Sequence, residues 1–254
     1  MNVEDMVSNW NDWADQDPMW AILTDPAKNN GKWNERDFFE TGERQISRNL
    51  QWLREHGIQL KQGQALDFGC GIGRLSNALA KYFDVVHGVD VSTGMIDIAT
   101  KLNKNPDKVT FFHNPKANLS DFAGGSYDLV YSEIVLQHIP TSYQAIYIAE
   151  FLRLLSDHGI AYFQTVRTVG WRRLVPNWAA ELVRRLKWKG RAFIPMYGIP
   201  PFQIERICKE ADCCIFYHAS FPPDQFANRF RCDVYGVTRK TNPQQLTPDR
   251  RETK

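Results

Sequence analysis

The sequence predicts an α/β domain, a mostly parallel sheet with helices on both faces. Three observations carry that expectation. Short apolar runs alternate with stretches of helical periodicity along most of the chain. The first clear run, residues 64–68, passes directly into a cluster of glycines. No internal repeat or low-complexity tract interrupts the alternation.

Residues 37–56 place Ile46, Leu50 and Leu53 on one helical face, with Gly57 as the stop. The strand 64–68 follows, and the helix after it carries Leu75, Ala78, Leu79 and Tyr82 at helical spacing. Residues 85–90 form a second buried strand, leading into a helix that Ser92 can cap. Residues 109–113 and 127–132 are the third and fourth strands. Thr141 and Gln144 have capping-box spacing, so a helix opens after Pro140 and buries Ile148, Leu152 and Leu155. Residues 159–166 read as a fifth strand, 201–211 as a short helix, and 213–219 and 234–239 as two final strands.

Three pieces stand outside this pattern. Residues 1–36 hold Trp10, Trp13, Trp20 and Trp33, half the tryptophans of the chain, and form an expected cap ahead of a domain at 37–240. Within that domain, 167–200 is an insertion too long for an ordinary connection. Residues 241–254 are a polar tail containing Pro243 and Pro248.

Composition narrows the class. With 254 residues, 43% apolar and 24% charged, the chain is not disordered, collagen-like or disulfide-stapled. No apolar run approaches the ~18 residues of a membrane span. Glu4, Asp5, Asp12, Asp15 and Asp17 precede the first lysine, Lys28, the wrong charge order for a leader, so a soluble, cytoplasmic protein is expected. Cys70, Cys208, Cys213, Cys214 and Cys232 match no metal or redox spacing and read as reduced, small apolar residues. The net charge of +2 conceals a basic segment. Residues 167–191 hold eight basic side chains against Glu181, or +7, leaving −5 elsewhere.

The chemistry concentrates at Asp67-Phe68-Gly69-Cys70-Gly71-Ile72-Gly73-Arg74-Leu75. Glycines at 69, 71 and 73 allow a tight strand-to-helix turn and close approach of a ligand to the backbone. Amides at the start of the following helix would favour a negative group. Seventeen positions after Gly73, Asp90 ends the second strand, where a carboxylate can accept from both hydroxyls of a ribose. A dinucleotide fingerprint would need glycine where Arg74 stands, and no Gly-Lys-Ser/Thr ending marks a P-loop.

The pattern Asp67-x-Gly69-x-Gly71-x-Gly73 resembles the class I S-adenosylmethionine-dependent methyltransferases, as do Gly88-Val89-Asp90-Val91-Ser92, Tyr127-Asp128-Leu129-Val130 and Val135-Leu136-Gln137-His138-Ile139. The resemblance runs from about Trp33 to Lys240 and implies a Rossmann-like, mostly parallel seven-stranded sheet whose last strand is antiparallel. It implies S-adenosyl-L-methionine as cofactor. Asp67 and the backbone of Gly69, Gly71 and Gly73 would hold its methionine part, and Arg74 is a further cofactor-binding candidate. Asp90 would hold the ribose, and Val91 and Met95 would line the adenine. The acid that often meets the adenine amino group is missing, leaving Asn114 or the Lys116 backbone. Glu133 matches a position near the sulfonium.

The resemblance further implies methyl transfer to a small molecule, with oxygen the preferred acceptor atom. His138, following the fourth strand, is the first candidate base, with His218 as an alternative. Both have packing or capping as their ordinary roles. The N-terminal tryptophans either form a lid over the acceptor or staple the N-terminal helices to the sheet; Trp33, Phe38 and Phe39 lie nearest the expected opening. In the insertion, Trp178, Leu182, Val183 and Leu186 make an apolar stripe opposite Arg184, Arg185 and Lys187. That stripe suits a packed helix, an anionic or lipid-like acceptor, or a peripheral membrane contact. Two other classes stay open. One is a nucleic-acid-modifying methyltransferase, disfavoured because Ser132-Glu133-Ile134-Val135 lacks the Asn/Asp-Pro-Pro-aromatic turn. The other is a non-catalytic, cofactor-binding regulatory protein. No metal is implied, and oligomeric state is not legible.

Overall fold

A computed structural model describes residues 3–168, 194–221 and 230–241 of the chain. The apolar stripe at 178–186 and the polar tail after 241 lie outside them. The N-terminal segment folds as α1 (Val3–Gln16) and α2 (Pro18–Ile22), followed by α3 (Glu35–Glu55). The α/β body then alternates β1 (Gln64–Phe68), α4 (Arg74–Leu79), β2 (Val85–Asp90), α5 (Thr93–Lys101), β3 (Val109–His113) and β4 (Tyr127–Ser132). A 3-10 turn at Leu136–His138 leads to α6 (Thr141–Leu154) and β5 (Leu155–Thr168). Then come α7 (Pro201–Glu210), β6 (Cys213–Phe221) and β7 (Phe230–Arg239).

The strands form one sheet in the order β3-β2-β1-β4-β5-β7-β6, with β7 antiparallel to both neighbours and the rest of the pairs parallel. Strand order reverses between β1 and β4, so their carboxyl ends diverge into a crevice, the usual ligand position in open sheets. One apolar layer, with Ile148, Phe151 and Leu152 of α6 against Leu66, Val130 and Phe163, covers one face. Ile46, Leu50 and Leu53 of α3 with Leu79 of α4 cover the other, against Ala65, Val86 and Leu129. Burial on both faces is why these strands read as continuous apolar runs. Ser92 caps α5 as expected, accepting from the Met95 N–H at 3.1 Å.

Two local expectations differ. Thr141 and Gln144 form no capping box: Pro140 precedes the helix, and both side chains turn to the segment 194–200 instead. Thr141 Oγ1 donates to the Gly198 carbonyl at 3.0 Å, and Gln144 Nε2 to those of Ile139 and Tyr197 at 2.7 and 3.0 Å. Strands β5 and β7 also run longer than the apolar pattern suggests. Their antiparallel ladder continues through Arg167 opposite Arg231, charged positions that carry no apolar strand signal.

Candidate functional site

The carboxyl ends of β1, β2 and β4 floor a cleft roofed by the N-terminal helices. Counting its open mouth, it spans about 890 Å³, and a concave, largely apolar cleft of this kind suits a small molecule. Phe68, Val89 and Val135 form part of its apolar wall, and Met6, Trp10, Ala21 and Ile22 come from α1 and α2. Trp10 sets its ring against His138, 5.6 Å between centroids. Asn11 pins α1 to the start of α5: its Oδ1 accepts from Ser92 Oγ at 2.7 Å and the Gly94 N–H at 3.3 Å. Trp13 and Trp20 pack together, and Trp33, Phe38 and Phe39 join the same apolar cluster without reaching the cleft. Among the tryptophans, Trp10 roofs the cleft while Trp13, Trp20 and Trp33 staple.

The glycine turn is sterically obligatory. Gly69 (φ +73°) and Gly71 (φ +52°) adopt left-handed backbone. A side chain at Gly69 would collide with both methyls of Val135, and one at Gly71 would lie 2.6 Å from Ile22 Cδ1. The N–H groups of Gly69, Gly71 and Gly73 donate to the Val89 carbonyl, Asp90 Oδ2 and the Cys70 carbonyl, at 2.7, 2.8 and 2.9 Å. These amides hold the loop to β2 and to itself, so they are not the open cradle expected from the sequence. Gly73 packs against Phe111 and stands outside the cleft wall.

Asp90 lies in the wall with both oxygens oriented by the backbone, Oδ2 by the Gly71 N–H and Oδ1 by the Ser92 N–H at 2.9 Å. Burial raises its pKa and these N–H bonds oppose the rise. Each oxygen keeps a lone pair for a further donor, the arrangement that vicinal hydroxyls require. Val91 and Met95 line the cleft beside it, as does Asn114, whose Nδ2 donates to the Asn118 carbonyl at 2.8 Å. Lys116 does not: its Nζ pairs with Asp121 at 2.6 Å, and its carbonyl accepts from Tyr147 Oη at 2.8 Å.

A charged pair occupies the same cleft. Arg74, 3% exposed, donates Nη1 to Thr41 Oγ1 and Gln45 Oε1, at 3.2 and 2.9 Å. The other end of the Gln45 amide donates to Glu133 Oε2 at 2.6 Å, and Tyr131 Oη binds the same oxygen. Gln45 thus spaces a guanidinium from a carboxylate on one wall, a layout complementary to an amino-acid zwitterion. The Arg74 Nε is buried without a partner, a donor that a carboxylate would satisfy. Directly after Glu133, Ile134 holds φ +62°, strained for a β-branched residue and the kind of distortion that gathers at functional sites.

Two expected residues take other positions. Asp67 is buried behind the wall and accepts from Ser76 Oγ at 2.6 Å, tying α4 to β1; burial pushes its pKa up to about 6. His138 does line the cleft, but both ring nitrogens are engaged. Nδ1 lies 2.6 Å from the Pro195 carbonyl, which can only accept, so Nδ1 carries the proton. Nε2 then accepts from Gln137 Nε2 at 3.2 Å, and Gln164 Nε2 orients that amide by donating to Gln137 Oε1 at 3.2 Å. Burial lowers the His138 pKa to about 4. His218 sits apart, on β6 beside Asp233. Sequence reasoning missed Met6, Ile22 and Gln45; an exposed-looking glutamine on an amphipathic helix carries no signal of the charges it will separate.

The sheet order and the cleft at its carboxyl edge are those of the class I methyltransferase fold. Residues 66–163 match the sequence profile of the methyltransferase domain family. The chain is 32% identical over 137 residues to the 2-methyl-6-phytyl-1,4-hydroquinone methyltransferase of Synechocystis, covering 52% of this chain and 42% of that one. It is 28% identical over 144 residues to the ubiquinone biosynthesis O-methyltransferase of Acinetobacter baylyi, covering 56% and 59%. The chain therefore spans about half the length of these relatives. Magnesium protoporphyrin IX methyltransferase from Synechocystis, solved with bound S-adenosylhomocysteine, superposes with a TM-score of 0.61 at 19% identity, over 94% of this chain and 99% of that one. That likeness is one of fold.

Proposed function

We propose that the chain binds S-adenosylmethionine and transfers its methyl group to the oxygen of a small-molecule acceptor. The observation that carries this reading is the pairing, in one largely apolar cleft, of a carboxylate suited to vicinal hydroxyls with a charge pair suited to an amino-acid zwitterion. In this reading Asp90 holds the ribose, and Val91, Met95 and Asn114 flank the adenine. Arg74 takes the carboxylate and Glu133 the ammonium, spaced by Gln45. Asp67 contributes indirectly, through Ser76 and α4. When bound, S-adenosylmethionine supplies a methyl group already activated by its sulfonium. The chain's task is then alignment and exclusion of water, and orientation alone can contribute roughly 7–11 kcal/mol.

Relatives named as O-methyltransferases support oxygen as the acceptor atom. The +7 charge of residues 167–191 supports an acceptor that is anionic or lipid-like, or contact with an anionic surface. No helix among the described residues is long and apolar enough to cross a membrane. Five free thiols suit a reducing compartment such as the cytoplasm. The test is a screen of hydroxylated and phenolic metabolites for release of S-adenosylhomocysteine, with Asp90→Ala as the inactive control. Cofactor binding without turnover of any acceptor would instead favour a regulatory binding protein.

We assign His138 a positioning role, holding the segment 194–200 and Trp10 against the cleft. Its neutral state has a consequence for stability. The folded pKa of about 4 lies below the unfolded value near 6.5, so the unfolded chain binds the extra proton first. The stabilisation is present above pH 6.5 and is lost as pH falls through 4, a change on the order of 3 kcal/mol. Urea midpoints of the wild type should fall across that window more steeply than those of His138→Gln. Parallel curves, or a turnover limb near pH 6–7 abolished by the substitution, would restore the role of base.

A further inference from the structure

At the other side of the sheet, β5, β7 and β6 bring together a polar cluster that the cleft does not use. The β5–β7 register sets Arg167 directly opposite Arg231 and Thr165 opposite Asp233, so these side chains leave one face. Ser220 and His218 of β6 stand beside Asp233 and Tyr235 on that face. Asp233, fully buried, accepts from Ser220 Oγ, lies 3.3 Å from His218 Nε2 and pairs with Arg167 Nε at 3.1 Å. Arg167 Nη2 also donates to Ser220 Oγ at 2.9 Å.

A single carboxylate therefore serves one arginine and a histidine, and among the described residues no carboxylate pairs with the second arginine. Arg231 Nε is buried and without a hydrogen bond, and Arg167 Nε and Asp233 Oδ2 meet as an ion pair without hydrogen-bond geometry. Buried donors without partners are costly, and two guanidiniums facing each other across a ladder repel. An anion between them removes both penalties, because each guanidinium presents a planar fork matched to a carboxylate or phosphate. The cluster is not sealed: Arg167 is 33% and His218 38% exposed.

Its position relates it to the cleft. Gln164, three residues before Arg167 and so about 10 Å along the strand and on its opposite face, donates to Gln137, the neighbour of His138. The segment 194–200 bridges the two regions as well, from His138 Nδ1 at the Pro195 carbonyl to the Ile199 N–H on the Val166 carbonyl at 2.9 Å. We infer that Arg167 and Arg231 form a subsite for an acidic group, carboxylate or phosphate, carried by the methyl acceptor. This inference rests on the methyltransferase reading and adds to it the place in the fold that takes the acceptor's acidic group.

Arg231 is the residue to change, since removing Arg167 would strand the buried Asp233. Benzoate, phenyl phosphate and neutral phenol are titrated into the full chain at low ionic strength, into wild type and Arg231→Gln, with S-adenosylhomocysteine binding measured in the same preparations. The expected result is binding of one or both anions by wild type and at least a tenfold loss in Arg231→Gln. Phenol and S-adenosylhomocysteine should bind the two proteins alike, and the thermal midpoint of the unliganded variant should not fall below that of the wild type. The preferred anion separates carboxylate from phosphate. No anion binding by wild type, or equal binding by both proteins, overturns the subsite. If S-adenosylhomocysteine fails to bind while the anions still discriminate, the subsite stands and the cofactor assignment falls.

Discussion

Asp90→Ala is expected to weaken S-adenosylhomocysteine binding by about 1,000-fold. The reasoning is local. Both carboxylate oxygens are held by backbone N–H groups, one from the glycine turn and one from the start of α5, so the group is fixed before any ligand arrives. Two hydroxyl bonds to a charged acceptor contribute about 1.5–3 kcal/mol each, and the sum of roughly 4 kcal/mol corresponds to three decades. The substitution also strands the Gly71 and Ser92 N–H groups and loosens the turn. Asp90→Asn, which keeps one oxygen, should lose less. Calorimetric titration checks both, and an affinity in Asp90→Ala within tenfold of wild type would remove Asp90 from the ribose.

Gly69→Ala should destabilise the fold by about 4 kcal/mol as well as closing the cleft. Two penalties combine. The left-handed backbone at φ +73° disfavours any side chain, by roughly 1–3 kcal/mol. The new Cβ also meets Val135, whose two methyls and own Cβ all stand in the way. A β-branched side chain has little freedom to move aside. Urea unfolding would register this as a midpoint lower by about 2 M if the slope is near 2 kcal/mol per M. Adding Val135→Ala should recover part of the loss, leaving the backbone penalty. An unchanged midpoint in Gly69→Ala would mean the turn is not built as described.

Much of this was legible from the chain alone because the relevant signals are short-range. A buried strand running into glycines and a carboxylate at the next strand end are written in consecutive residues, and the structure places Gly69, Gly71, Arg74, Asp90 and Glu133 around one cleft. What was not legible depends on side-chain orientation and on contacts across long sequence separations. Asp67 belongs to the same motif yet turns away to Ser76, because it sits one pleat behind the turn. Gln45 reaches Glu133 across 88 positions, a contact no local pattern encodes. His138 looked like a base because histidine near a strand end suits one; the Pro195 carbonyl and the Gln137 amide, which occupy its nitrogens, could be known only from the folded chain. The Arg167–Arg231 juxtaposition likewise comes from strand register, set by the packing of β7 between β5 and β6.

Direct calorimetric titration of the purified chain with S-adenosylmethionine, its demethylated product and adenosine puts the assignment of the cleft to its plainest trial. One site per chain is expected, with adenosine binding more weakly than either compound that bears the amino-acid tail, because adenosine leaves Arg74 and Glu133 unmet. Heats indistinguishable from dilution for all three compounds would contradict it.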